Sequence, residues 1–163
     1  MTQGIGEKPN DLLELWGKNI QRIQTANHES ANWFSRLHLL MGVPTVLITA
    51  TVGVSAVTEG LKSYPVLLIG LSVLATVMSS LQAFLNYGDR AAKHGNAGTE
   101  YGCLKRRLQE FRAFDPKDEL EVQTFVKELR ESFDSLSRAT PQIPTHIWDR
   151  MLTKFPPQRT ANG

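Results

Sequence analysis

The stretch LHLLMGVPTVLITATVGVSAV, Leu37 to Val57, decides how this chain folds. A second stretch, PVLLIGLSVLATVMSSLQAFL, runs from Pro65 to Leu85 after a seven-residue connection, TEGLKSY, Thr58 to Tyr64. No Asp, Glu, Lys or Arg occurs between Leu37 and Thr58, nor between Ser63 and Gly88. Each run is 21 residues long. At about 1.5 Å per residue, about 20 residues of helix cross the roughly 30 Å hydrocarbon core of a bilayer. A core helix of a soluble bundle carries a polar face, and neither run shows an ionised one. The expected fold is therefore an all-α membrane protein built on a two-helix transmembrane hairpin. The other readings are a soluble helical core and a cleaved signal peptide ending near Val54-Ser55-Ala56. The first needs partners to cover both helices, and the flanks are too polar for that. The second is disfavoured because the first run starts only after 36 residues and another follows at once. The short connection turns an antiparallel pair, with Gly60 suited to a left-handed helix end.

The 163 residues average out to a mean hydropathy of -0.23, which conceals this division. Formal charge is +2, from 18 basic and 16 acidic side chains, too balanced for a nucleic-acid partner. The single cysteine, Cys103, excludes an internal disulfide and a thiolate metal cluster. Basic residues flank the runs unequally. Lys8, Lys18, Arg22 and Arg36 precede them, Arg90, Lys93, Lys105, Arg106 and Arg107 follow, and only Lys62 lies between. Nine against one places both termini in the cytoplasm and the chain in the inner (plasma) membrane as a multi-pass protein.

Apolar periodicity extends beyond both runs. Trp16, Ile20, Ile23, Ala31, Phe34 and Leu37 share one face, so a cytoplasmic helix over about 10–36 runs into the first span without a break. His94, Gly98, Tyr101, Leu104, Leu108 and Phe111 do the same after the second span, over about 86–114. Asp115-Pro116-Lys117-Asp118 reads as a restart, with Asp115 as N-cap. It opens a third packing helix over about 116–138, with Val122, Phe125, Leu129, Phe133 and Leu136 on one face. Thr140-Pro141-Gln142-Ile143-Pro144 is extended, because its prolines forbid helix. A short helix near Thr145 to Leu152 follows. The organisation expected is a single unit over 1–154 with a loose tail over 155–163.

This order of pieces resembles the SLATT domain. The matching features are Ala26 and His28 before the first span, Pro44 within it, His94 and Tyr101 after the second, and the Pro141–Pro144 ending. The match covers about Trp16 to Pro144 and rests on order and spacing. The resemblance implies a bacterial membrane effector of a nucleotide-signalling, CBASS-like antiviral defence system acting by abortive infection. A neighbouring nucleotide-synthesising or sensor protein would trigger it to form a homo-oligomer that opens or disrupts the inner membrane.

Candidate residues follow from the pattern. Thr45, Thr49 and Gly53 form a small-residue stripe on the first span, and Ser72, Thr76 and Ser80 one on the second. Such residues admit close helix packing and bond back to the backbone. They line a channel only if several copies assemble, since two helices enclose no pore. Pro44 is a kink and a candidate hinge. His28 and His94 lie nine residues from Leu37 and Leu85, so they are expected to meet each other, or each other's helix, in a stalk with Tyr101. A structural hydrogen bond suits them better than a metal, as no ligating carboxylate or thiol lies at ligand spacing. Lys105, Arg106 and Arg107 form a basic cluster, by default a solvated face, otherwise a contact for anionic lipid, nucleotide or partner. No nucleophile motif, phosphate loop or carboxylate–histidine cluster appears, so neither catalysis nor a cofactor is expected. The runner-up function is a non-conducting anchor or scaffold whose cytoplasmic helices recruit a soluble partner.

Overall fold

The computed structural model describes residues 9–57, 64–114 and 118–156. Those residues form five helices and no strand: α1 Pro9–Val57, α2 Pro65–Leu85, α3 Tyr87–Ala113, α4 Glu119–Ala139 and α5 Thr145–Lys154. Gly60, Lys62, Lys8, Asp115, Pro116 and the tail beyond Pro156 lie outside the described residues.

α1 is continuous over 49 residues, with Pro44 in its interior. Pro44 has no N–H, which removes the bond to the carbonyl one turn earlier, yet helix persists to Val57. α2 opens on Pro65, whose missing N–H is harmless at a helix start. The helix expected to run on from there is interrupted at one residue. Asn86 takes φ 44°, ψ 48°, and its N–H bonds the Gln82 carbonyl at 3.0 Å. Asparagine tolerates this left-handed conformation better than most residues, which is why it can end α2. Helical bonding resumes at once, Arg90 N–H reaching the Asn86 carbonyl at 3.2 Å. α4 opens at Glu119 with Asp118 as its N-cap. The Asp118 carboxylate accepts from the Leu120 N–H at 3.0 Å, and Glu119 and Glu121 occupy the favourable first turn. Residues 141–144 are non-helical, as the prolines require.

The chain divides into two compact units. The first, called here the packed unit, comprises residues up to Ala31 together with those from Ala92 on. Its core joins Leu13 and Ile20 of α1, Tyr101 and Leu108 of α3, and Phe125 and Leu129 of α4. Each such side chain contributes about 1.5–3 kcal/mol by leaving water. Phe111 and Phe125 stack face to face, centroids 3.8 Å apart. Tyr101 meets Phe133 edge-on at 5.8 Å and shares a hydrogen bond with the Ser137 hydroxyl at 3.1 Å. α5 buries Ile147 and Met151, and its Arg150 lies 3.6 Å from Glu29 of α1.

The second, the hairpin unit, spans Asn32–Ala91. The less exposed positions of α2 are Leu68, Leu71, Ser72, Ala75, Met78, Gln82 and Leu85, which apart from the adjacent pair Leu71–Ser72 alternate steps of three and four. On α1 they include Met41, Thr45, Ile48, Val52 and Ser55, with the same alternation. That is the spacing of a helix–helix seam with a 3.5-residue repeat. The outward faces are apolar. Leu40 is 70% exposed, Val66 81% and Ile69 65%.

Candidate functional site

In the hairpin unit the two small-residue stripes divide. Thr45 is buried and Ser72 half-buried, both belonging to the seam, whereas Thr49, Gly53, Thr76 and Ser80 are exposed. Steps of four residues drift around a helix by about 40° each, while the seam follows a 3.5-residue average. A stripe drawn at steps of four therefore starts in the seam and leaves it. Every hydroxyl of the set bonds back to its own helix: Thr45 to Met41 O at 2.7 Å, Thr49 to Thr45 O at 2.8 Å, Ser72 to Leu68 O at 2.8 Å, Thr76 to Ser72 O at 2.8 Å and Ser80 to Thr76 O at 2.9 Å.

What ties the two helices together is Gln82, which the sequence reading passed over. Its side-chain N–H groups reach the Met41 carbonyl at 2.9 Å and the Thr45 hydroxyl at 2.7 Å. The signal was present: Gln82 is the only carboxamide in either apolar run. The clamp sits within one turn of Pro44, where the local backbone ladder is incomplete. At one end of this unit lies an aromatic and basic group. Trp33 meets Phe34 edge-on at 4.8 Å, Phe34 stacks with Tyr87 at 6.0 Å, and the Arg90 guanidinium sits 5.9 Å from the Phe34 ring centre.

In the packed unit each histidine of the expected stalk contact meets the opposite helix. His94 is buried, and its Nδ1 lies 2.9 Å from the Asn27 carboxamide oxygen. Asn27 is fully buried and its Nδ2 donates to the Ile23 carbonyl at 3.0 Å. The Asn27 oxygen is thereby left to accept, so His94 Nδ1 carries the proton and donates. Burial holds the His94 imidazole below the ordinary histidine range. His28 lies flat on Gly98 of α3: a Cβ there would sit 2.8 Å from the ring. Only glycine permits this approach. Asn27 fills the missing step of the apolar series, midway between Ile23 and Ala31, and that gap was its signal.

Lys105, Arg106 and Arg107 do not act as one patch. Arg107 donates to Glu128 of α4 at 2.6 Å and lies 5.9 Å from the Phe125 ring centre. Arg106 donates to Cys103 Sγ at 3.3 Å on its own helix, and Lys105 is half-buried.

These features define an all-helical protein with two helices long and apolar enough to cross a membrane. No family model, curated protein or solved structure matches the chain.

Proposed function

We propose that the hairpin unit crosses the bilayer twice, with both termini cytoplasmic, and that the protein is a non-enzymatic membrane effector. On this reading several copies assemble and open or disrupt the inner membrane of a prokaryotic cell during anti-phage defence, on a signal from a partner sensor or a nucleotide. One observation carries the membrane part. Only 6% of the most apolar 18-residue window of each long helix is buried inside the molecule. A soluble core helix is mostly covered. Leaving so many valine, leucine and isoleucine side chains in water forfeits about 25 cal/mol per Å2, whereas lipid restores it. The lysine and arginine imbalance supports the orientation. The effector part is supported by the outward Thr49, Gly53, Thr76 and Ser80, which offer small, mildly polar surface to neighbouring copies, and by the SLATT-like order of pieces.

The second reading, a non-conducting anchor, is favoured by the back-bonding of those same hydroxyls. None of them needs water or a neighbour.

Cys103 is exposed and is the one cysteine, which gives a direct topology test. A membrane-impermeant maleimide is expected to label it in inverted vesicles and not in intact spheroplasts. The reverse pattern removes the orientation. A potential-sensitive dye then separates effector from anchor: depolarisation on triggered expression is expected of the effector, and an unchanged potential leaves the anchor.

A further inference from the structure

The hairpin unit carries a two-part surface that matches a two-part ligand. Phe34, His38, Gly42 and Val46 follow one another at steps of four along α1. The cationic and aromatic part lies at the Phe34 end. Arg90 sits over the Phe34 ring, 5.9 Å from its centre. The His38 ring packs where a Gly88 Cβ would stand, 3.5 Å from it, so the imidazole is held at the surface by the start of α3. Arg36 and Arg90 are both exposed, against the single carboxylate of Asp89. Directly beyond His38 the surface becomes a shallow apolar groove of about 250 Å3, lined by His38, Leu39, Gly42, Val43, Val46 and Leu47. Gly42 makes the notch. A Cβ built there would touch only the Gln82 side-chain oxygen, at an ordinary contact distance of 3.8 Å, so glycine keeps the helix surface low here without being forced by a clash. From His38 to Leu47 the groove runs about 13 Å along the helix. That is close to the half-thickness, about 15 Å, of the hydrocarbon core. Aromatic rings at one end, Trp33 and Tyr87, suit the headgroup level of a bilayer.

We infer that this surface is a binding site for one anionic phospholipid, its phosphate held between Arg90 and His38 and one acyl chain lying in the Gly42 notch. The inference rests on the proposed bilayer-spanning hairpin and adds a ligand to it. The charge favours an anionic headgroup, because a zwitterionic lipid brings its own cation to the guanidinium. The apolar lining favours a chain over a free phosphate, which gains nothing from Leu39, Val43 or Val46. Occupancy would couple the lipid to the Pro44 region of α1, since Gly42 and Pro44 lie within the same turn.

Native mass spectrometry of the full chain, released from detergent with added phosphatidylglycerol or phosphatidylcholine of equal chain length, tests it. The wild-type chain is expected to retain phosphatidylglycerol about fivefold over phosphatidylcholine, the discrimination that about 1 kcal/mol per basic side chain supplies near an anionic surface. Arg90→Gln is expected to bring that ratio near one while total lipid binding persists. Gly42→Leu is expected to lower adducts of both lipids, with circular dichroism showing the helices retained. A wild-type ratio near one, or an unchanged ratio in Arg90→Gln, overturns the site. So does a Gly42→Leu effect confined to the dimer fraction, which assigns the groove to a second copy. Extraction of membranes with alkaline carbonate separates the two failures. A chain washed out removes the membrane reading itself, whereas a chain retained without lipid discrimination removes the lipid site alone.

Discussion

Replacing Asn27 by Ala is expected to lower the stability of the packed unit by about 1–3 kcal/mol, because the fully buried amide satisfies two groups at once. A fall in the thermal midpoint followed by tryptophan fluorescence would check it. His94 makes the same unit sensitive to acid. Its imidazole is held below its ordinary value of 6.5 by burial, so the neutral ring is the form that packs. The stability it contributes is present above about pH 6.5 and is lost as pH falls, since the unfolded chain then binds the proton more readily. The midpoint should therefore drop between pH 7.5 and pH 5, and His94→Gln, which keeps a donor for Asn27, should flatten that part of the profile. An equally steep profile in the variant would assign the acid sensitivity elsewhere. Gly98→Ala should push the exposed His28 ring off α3 at a cost of no more than about 1 kcal/mol, because the ring can move and alanine favours the helix, and the same change should be stabilising in a His28→Ala background. The legibility of these residues was uneven. His94 and Tyr101 stood out because they fall within the apolar series of α3, and His28 because of the SLATT-like order of pieces and its nine-residue spacing from Leu37. Asn27 did not, because a buried amide is recognised only by the bonds it makes.

Helix periodicity located the elements well and their joints poorly. Phe125 and Leu129 mark the inner face of α4 because a 3.6-residue repeat is a property of the chain itself, whereas the seam from Leu68 to Leu85 shows only in the burial, since an all-apolar helix has no polar face to set it off. The left-handed Asn86 and the Asp118 cap were missed because each is decided by a few backbone dihedrals that asparagine and aspartate permit but do not demand. The stripes of Thr45 and Ser72 were misdrawn for a geometric reason, the drift between steps of four and a seam of 3.5. Two predictions belong at this scale. Leu129→Ala empties a fully buried position and is expected to destabilise the packed unit by about 2–5 kcal/mol, read from chemical denaturation in detergent. Gln82→Leu removes both cross-helix bonds and is expected to weaken the hairpin by about 0.6–1.7 kcal/mol, read from the shift of its unfolding midpoint in sodium dodecyl sulfate. A gain in stability instead would show that shape, and not polarity, holds the seam.

For the molecule as a whole, composition concealed the division that matters, and the distribution of charge revealed it. The two apolar runs coincide with the second half of α1 and all of α2. What several copies would do together was never legible, because it depends on surfaces that one chain does not pair. The outward hydroxyls bear on that point in a different way. Thr49, Thr51, Thr76 and Ser80 are each served by a carbonyl of their own helix. A lone hairpin in hydrocarbon thus carries no hydroxyl among these four that demands a neighbour. On the proposed reading, synthesis alone would then not commit the protein to assembly, and concentration or a partner would have to tip the balance. An effector of the proposed kind needs that restraint, because it would share its membrane with the cell that makes it.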